Sequence, residues 1–332
     1  AGLGDLSRAP RRHPNRTERA VAERLIMARQ QHPTWGPKKL VAWLQDREPC
    51  PDANRGWPAP STAGDLLDRA GLVQRRDLRL AARMEPILQS HIPFDTSSAR
   101  LPGAAPLAEA EWLIQDDAFA AQMALRDSLI ATRRAEVIAL EDRGREAADE
   151  LLSRVLDHLV QSPGYSVGTD VVTRPDGVAV PVLRDDPMAT AGRLVQEDLC
   201  LMQKPEGAEE HVLTGATLCF PAGWMLAEKL GRSLMRIHKP VAAYDEGLAR
   251  RVQRLFDCVR VGQPLWRFNA LRYADPMLFQ PRHEGVPKYG TGQEQRFTRS
   301  ERQTILRLPR TGAVVFGIHT FVVRLADQKN GR

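Results

Sequence analysis

The chain has 332 residues, 42% of them hydrophobic, which is enough for a folded core and long enough for two domains. Its apolar runs are far shorter than the roughly 20 residues that cross a bilayer, and the basic N-terminus has no apolar signal-peptide core. These features exclude membrane-spanning and secreted classes and predict a cytoplasmic protein. The net charge is +6, and residues 1–80 hold 15 Lys and Arg against 9 Asp and Glu, so the positive excess lies in the first quarter. A basic surface there suits a polyanion.

Three short helices are predicted in this basic quarter. The first spans Glu18–Gln31 after Thr17 as N-cap, the second spans Lys38–Asp46, and the third starts at Pro60 and ends before Gly71. Helices this short are not stable alone, so we expect them to pack as a small all-α bundle.

Two segments of this bundle read HPTWGPKKLVAWLQD and WPAPSTAGDLLDRAGLV. They resemble the helix-turn-helix region of insertion-sequence transposases with an integrase-type core, which implies that Ser61–Arg69 enters the DNA major groove. The residues that the resemblance assigns to DNA are Lys38, Lys39, Ser61, Thr62, Arg69, Arg75 and Arg76. Such charges also form ordinary solvated faces, and no catalytic carboxylate triad follows Arg76. We therefore interpret residues 1–78 as a transposase-like fragment with at most weak DNA binding.

A change of pattern follows this fragment. Residues 79–107 hold several prolines and glycines and a polar run at Asp95–Ser98, which predicts a linker and a loop leading into the next domain. Apolar spacing then predicts a layer of three helices, Glu109–Leu125, Arg126–Leu140 and Ala147–Leu159.

The next segments predict a hairpin and another helix. Valines alternate on both arms of Asp170–Leu183 around the turn Pro175–Gly177. The apolar residues of Met188–Leu201 predict a helix.

The stretch Leu213–Leu248 carries the strongest functional signal. An apolar strand ends at Pro221, and a helix over Trp224–Leu230 is closed by Gly231. His238 follows, two residues before a proline, in backbone that we expect outside the helical region. An imidazole at the rim of an apolar pocket can ligate a metal or a haem iron, although most histidines in such settings are ordinary polar groups.

The C-terminal part predicts one helix and three long strands. The helix spans Asp245–Val259, and the strands span Pro264–Tyr273, Arg296–Leu308 and Ala313–Leu325. Strands grouped in this way, without β–α alternation, predict an α+β domain with an antiparallel sheet.

Four separated blocks carry a second resemblance, in the order FPAGW, EKLG, IHKPV and ERQTILRLPRTGAVVF. They resemble the alpha subunit of haem-dependent oxidative N-demethylases over residues 92–325. The resemblance implies a PAS-like sheet with flanking helices that binds haem b. It also implies oxygen-dependent removal of a methyl group from a small methylated amine, with release of formaldehyde. Electrons would come from partner flavin and iron–sulfur subunits, since this chain has no GxGxxG motif between a strand and a helix.

The same resemblance suggests site residues. His238 is the first choice for the proximal haem ligand, and His319 is the rival, at a position where the family pattern has arginine. A cysteine thiolate, from one of four scattered cysteines, is a third alternative. Arg267 and Arg310 are candidates for binding haem propionates, and Glu301 and Arg302 for catalysis. Strand alternation places Glu301 and Gln303 on one face of the strand and Arg302 on the other. Each of these charged residues could equally belong to a structural ion pair.

Residues 108–326 are thus predicted to form the N-demethylase-like domain. Two alternatives stay open from the residues alone. One is a haem-binding PAS-like sensor without turnover, and the other is a DNA-binding transposase remnant that carries a passenger domain.

Overall fold

A computed structural model describes residues 17–32, 35–53, 55–69, 85–96, 103–238, 246–284 and 294–325. The chain divides into two compact units, Ala1–Glu85 and Pro86–Arg332. The DNA-contact candidates Arg75 and Arg76 lie outside the described residues. Within the described ranges, no helix is long and apolar enough to span a membrane.

The first unit is built from three helices, α1 (Arg19–Gln31), α2 (Pro37–Arg47) and α3 (Pro60–Arg69). Pro37 opens α2 at a position where its missing N–H costs nothing, because the first helical amides have no partner inside the helix. The buried side chains of this unit are Val21, Leu25, Ala28, Leu40, Val41, Leu44, Ala63 and Leu67. They form one apolar core, and the prediction of three packed helices is confirmed.

The second unit is an α+β domain. Its helices are α4 (Phe119–Thr132), α5 (Arg134–Val137), α6 (Arg145–Leu159), α7 (Pro187–Leu194), α8 (Leu226–Lys229), α9 (Leu234–His238) and α10 (Glu246–Cys258). Its strands are β1 (Ala105–Pro106), β2 (Ile138–Leu140), β3 (Ser166–Val167), β4 (Val171–Thr173), β5 (Ala179–Pro181), β6 (Asp198–Gln203), β7 (Val212–Thr217), β8 (Leu265–Tyr273), β9 (Phe297–Arg307) and β10 (Val314–Arg324).

Seven of these strands form one antiparallel sheet in the order β1-β8-β9-β10-β6-β7-β2, and β3-β4-β5 form a small second sheet. The long strands β8, β9 and β10 confirm the three strands predicted near the C-terminus, and β4–β5 confirm the predicted hairpin. Close contact between strands explains Gly317, because a Cβ there would lie 2.5 Å from Thr304 Oγ1. The α+β class and its antiparallel sheet are confirmed.

The main sheet has two chemically different faces. We call the first the Trp112 face; it packs against α6 and α7 through an apolar cluster that includes Leu151, Leu194 and Leu306. We call the second the Arg267 face; its cluster joins Ile305 of β9 to Leu234 of α9 and to α8 and α10. Side chains alternate between these faces along each strand.

Three predicted helices are wrong in extent. The helix predicted over Glu109–Leu125 begins only at Phe119, as α4. Before it, Ile114 N and Asp116 N donate to the buried side chains of Glu197 and Gln196, which holds residues 114–116 outside α4. Residues 138–140, predicted helical, pair with β7 instead. The predicted helix Met188–Leu201 ends at Leu194, and β6 follows. An apolar run buried on both faces cannot be assigned to helix or strand by periodicity, and here pairing with β7 and β10 decides for strand.

Part of the interval predicted as linker packs on the sheet. Gln89 is buried and its side chain bridges β10, with Nε2 donating to Thr320 O at 3.0 Å and Oε1 accepting from Val322 N at 2.8 Å. Phe94 contacts Phe268 and Phe321 on the Trp112 face. These contacts assign residues 87–94 to the second unit.

We expect the second unit to fold without the first. A fragment of residues 86–332 should unfold at the same temperature as the corresponding transition of the full chain, because its apolar clusters are formed by its own residues. Differential scanning calorimetry of both proteins measures this. Loss of the transition in the fragment would contradict the division into two units.

Candidate functional site

A polar centre lies on the Arg267 face, beside the apolar cluster that contains Ile305. It consists of Arg267 and Asn269 on β8 and of Glu301 and Gln303 on β9. Arg267 lies directly opposite Gln303, and Asn269 lies opposite Glu301. The period of two residues along each strand places all four side chains on one face. The sheet thus presents a compact polar patch beside the cluster that contains Ile305.

Hydrogen bonds hold the carboxylate of Glu301 in one position. Asn269 Nδ2 donates to Glu301 Oε2 at 2.9 Å, and Gln303 Nε2 donates to the same oxygen at 3.1 Å. Arg267 donates to Gln303 Oε1, which orients the amide of Gln303 toward Glu301. Burial lowers the pKa of Arg267, and the charge of Glu301 acts in the opposite direction. The result is a preorganised carboxylate with a half-buried cation near it.

Two buried polar atoms beside Glu301 have no hydrogen-bond partner among the described residues. They are Arg299 Nε, which lies 4.0 Å from Glu301 Oε1, and Thr320 Oγ1, on the residue opposite Glu301 in β10. The other guanidinium nitrogens of Arg299 donate to Phe220 O at 2.6 Å and to Leu278 O at 3.1 Å. Since buried polar groups are nearly always paired, these two atoms mark a place where a small polar molecule would be stabilised.

His238 is the last residue of α9, close to this polar centre. Its Nδ1 donates to Leu234 O at 2.8 Å, which places the proton of the neutral ring on Nδ1 and the lone pair on Nε2. Burial lowers the pKa of His238, and the positive charges of Lys229 and Arg267 lower it further. The neutral ring that results at neutral pH is the form that ligates metals.

The backbone prediction for His238 is wrong. The residue is helical because the restriction imposed by Pro240 acts on the residue directly before it, Lys239, and not on His238. Lys239 and Pro240 lie outside the described residues.

His319 lies on the opposite side of the sheet, on the Trp112 face. Its Nδ1 is 3.2 Å from Glu197 Oε1, and its Nε2 is 3.0 Å from Asp116 Oδ2. Burial alone would lower the pKa of His319, but the hydrogen bonds and charges of Asp116 and Glu197 raise it to about 9. An imidazolium with both nitrogens bonded to carboxylates has no lone pair for iron. The structure therefore does not bring the two predicted histidines together.

Two predicted arginines also lie away from the polar centre. Arg302 is on the Trp112 face, where it donates to Trp112 O at 3.2 Å and to Glu111 O at 2.5 Å. Arg310 lies in the turn between β9 and β10; its backbone N donates to Glu150 Oε1 at 2.6 Å and its side chain is exposed. Of the predicted site residues in this unit, only His238, Arg267 and Glu301 share one face.

The two buried cysteines do not offer a thiolate. Cys200 and Cys219 are buried; burial raises the pKa of both thiols, that of Cys219 to about 12. Cys258 is exposed on α10, and Cys50 belongs to the first unit. In the described ranges, no group of three His, Cys, Asp or Glu side chains is placed to hold a metal ion.

The DNA-contact candidates lie on two helices of the first unit. Lys38 and Lys39 are exposed at the start of α2, and the ammonium of Lys39 lies 4.2 Å from the ring centroid of Trp35. Ser61 is exposed and Thr62 half-buried at the start of α3. Arg69 ends α3, and its side chain is outside the described structure. DNA binding by these residues stays a prediction.

Sequence reasoning missed the partners of His319. Asp116 and Glu197 are more than 100 residues from His319 in the chain, and nothing in their local sequence indicates an ion pair. Cross-strand pairing makes Asn269 the main support of Glu301. A β8–β9 register would have revealed this, and register depends on tertiary packing.

One comparison with known proteins bears on this unit. A family model described as haem-dependent oxidative N-demethylase, alpha subunit-like, matches residues 103–331. The match covers all the strands of the main sheet and both α8 and α9.

The ion-paired His319 should make folding stability depend on alkaline pH. The folded pKa of about 9 exceeds the ordinary value of 6.5, so the stabilisation is complete below about pH 6.5 and is lost as the pH rises through 9. A shift of this size corresponds to about 3 kcal/mol. Urea unfolding at a series of pH values should show this loss in the wild type and a flatter dependence in His319→Asn. Parallel curves for both proteins would contradict the charged state of His319.

Proposed function

Because this chain belongs to the haem-dependent oxidative N-demethylase, alpha subunit-like family, we propose that its second unit binds haem b on the Arg267 face and acts in oxidative N-demethylation. The observation that carries the proposal is the environment of His238. It combines a burial-lowered pKa, a proton held on Nδ1 by Leu234 O, and a position near the half-buried cation Arg267. These are the properties of a histidine that ligates iron through Nε2.

The residues present fit a haem. His238 would ligate the iron, and Arg267 would pair with one of the two propionates, which need cationic partners. Apolar surroundings come from the cluster of Ile237, Leu265 and Phe316 on the same face. Bound haem would supply the activation of dioxygen. The exposed Arg310 and the ion-paired His319, which were also considered as haem contacts, have no part in this proposal.

Glu301 would bind the substrate amine. A methylated ammonium ion carries N–H donors and a positive charge, and a carboxylate fixed by Asn269 and Gln303 can accept both the hydrogen bond and a proton. The unpaired Arg299 Nε and Thr320 Oγ1 would bind polar atoms or a water beside the same carboxylate. Glu301 would hold the ammonium ion and take up its proton before the methyl group is oxidised to a carbinolamine. When the C–N bond of the carbinolamine breaks, the protonated Glu301 would return a proton to the amine nitrogen, which keeps the electron pair, and would accept the hydroxyl proton as formaldehyde leaves. Arg302 lies on the other face, where it donates to Trp112 O, and is not assigned to this step.

The alpha-subunit family implies an enzyme of several subunits. We propose that flavin and iron–sulfur subunits supply the electrons. We also propose that the sheet and its helices form a PAS-like fold. The alternative without turnover, a haem-binding sensor, makes a different prediction: haem binds, but no formaldehyde is released when a reductase and an amine are supplied.

We expect His238→Ala to abolish the histidine-ligated spectrum of the haem-reconstituted protein. Added imidazole should restore it, because the small molecule can replace the missing ring. His319→Ala is the matched control; it removes a buried histidine of the other face and should leave the ligation spectrum unchanged. A wild-type spectrum in His238→Ala, with loss of haem in His319→Ala, would reverse the assignment.

We expect Glu301→Gln to keep the haem spectrum but to lower kcat/KM for formaldehyde release about 10²–10⁴-fold, the range typical of a lost acid–base group. The isosteric amide retains the shape of the site, so binding of haem is a control within the same sample. Glu294→Gln, which removes an exposed carboxylate paired with Arg296, should leave kcat/KM unchanged. Equal activity of Glu301→Gln and wild type would remove Glu301 from the mechanism.

A further inference from the structure

Lys229, at the end of α8, is a buried lysine of the EKLG block to which no role was assigned from the sequence. Its side chain is 4% exposed, and its ammonium makes two contacts: Nζ donates to Ile237 O at 2.8 Å and to Glu284 Oε1 at 2.5 Å. Ile237 directly precedes His238 in α9. The ammonium therefore binds the backbone one residue away from the proposed haem ligand.

The contact lies where a helix needs it. The last four carbonyls of a helix have no partner inside the helix, and Ile237 is the second-to-last residue of α9. A cation near these carbonyls also interacts favourably with the helix dipole. Because α9 has only five residues, it has little intrinsic stability, and its position depends on contacts with its neighbours.

Glu284 connects this contact to a second segment. Its carboxylate also accepts from Arg236 Nη1 of α9, at 3.1 and 3.2 Å. In return, Glu228 of α8 accepts from Glu284 N at 3.1 Å and from His283 Nδ1 at 2.8 Å. The two glutamates thus join α8, α9 and the segment at 283–284 into one network of hydrogen bonds and ion pairs.

The two cations of this network, Lys229 and Arg236, are not equivalent. Arg236 is 44% exposed, and exposed pairs contribute little because water screens them. Lys229 is buried, so its ammonium requires both acceptors, and only Lys229 contacts the backbone carbonyl. Arg236 is therefore a natural control for Lys229.

We propose that Lys229 is a positioning residue for His238: its ammonium, paired with Glu284, fixes the C-terminal end of α9 against α8 and thereby holds the imidazole in the orientation for iron. This inference rests on the proposed function for its consequence, haem ligation. The fixing of α9 itself is measurable without haem.

The test uses the full chain with Lys229→Met, Lys229→Arg and the control Arg236→Gln. Without haem, hydrogen exchange of the α9 amides is measured relative to those of β9, which corrects for any change in global stability. With haem, affinity is measured by Soret titration, and ligation by the spectrum with and without imidazole.

Lys229→Met should raise the relative exchange of α9 about tenfold and weaken haem binding about 10–100-fold, the usual effect of losing a group that orients a metal ligand. Imidazole should restore the histidine-type spectrum. Lys229→Arg should recover part of both losses, and Arg236→Gln should change each by less than about twofold.

Two results would overturn the inference. One is that Lys229→Met keeps the wild-type hydrogen exchange of α9 and the wild-type haem affinity. The other is that Arg236→Gln changes exchange and affinity as much as Lys229→Met does, which would mean that either cation paired with Glu284 has the same effect. If the wild type binds no haem, the proposed function fails, and the exchange of α9 alone decides whether Lys229 fixes this helix.

Discussion

The buried ion pair of Arg126 and Asp198 is the constraint on which the second unit depends. The two side chains are 0% and 1% exposed and lie 2.7 Å apart. Arg126 also donates to the carbonyls of Gly192, Gln196 and Glu197, and Asp198 accepts from the backbone N–H groups of Cys219 and Phe220. Three segments distant in sequence meet at this pair. Removing one partner would leave a buried charge unpaired, at a cost of several kcal/mol.

The same network extends to the polar centre. Asp198 holds the amide of Phe220, and the carbonyl of Phe220 accepts from Arg299 at 2.6 Å. The Nε of Arg299 then lies 4.0 Å from Glu301, the carboxylate that we propose for the amine. The turn after β7 is thus fixed to β9 through polar contacts, whereas the surrounding residues pack through apolar ones. This arrangement explains why a half-buried carboxylate keeps one orientation beside an apolar cluster.

The two histidines lie on opposite faces of the main sheet and have different roles: one stabilises the fold, and the other is the proposed haem ligand. His319 is charged and bonded to two carboxylates, so it stabilises the contact between β10 and the segment at Asp116 and is unsuited to iron. His238 has its pKa lowered by burial and by two cations, so it is suited to iron. Both were candidates from the sequence, and their environments separate them. Lys229 contributes to this difference twice, by its charge and by its bond to the α9 backbone.

The sequence by itself determined the long strands β8, β9 and β10, the α10 helix, the hairpin of β4 and β5, and the alternation that puts Glu301 and Arg302 on opposite faces, because these features depend on local periodicity. The blocks around His238 were sufficient to indicate the family. Tertiary structure alone decided that Asp198–Gln203 is a strand, that His319 is paired with Asp116 and Glu197, and that Lys229 reaches Ile237. The physical reason is that burial, strand register and ion pairing bring together residues far apart in the chain, and none of these leaves a signal in local sequence.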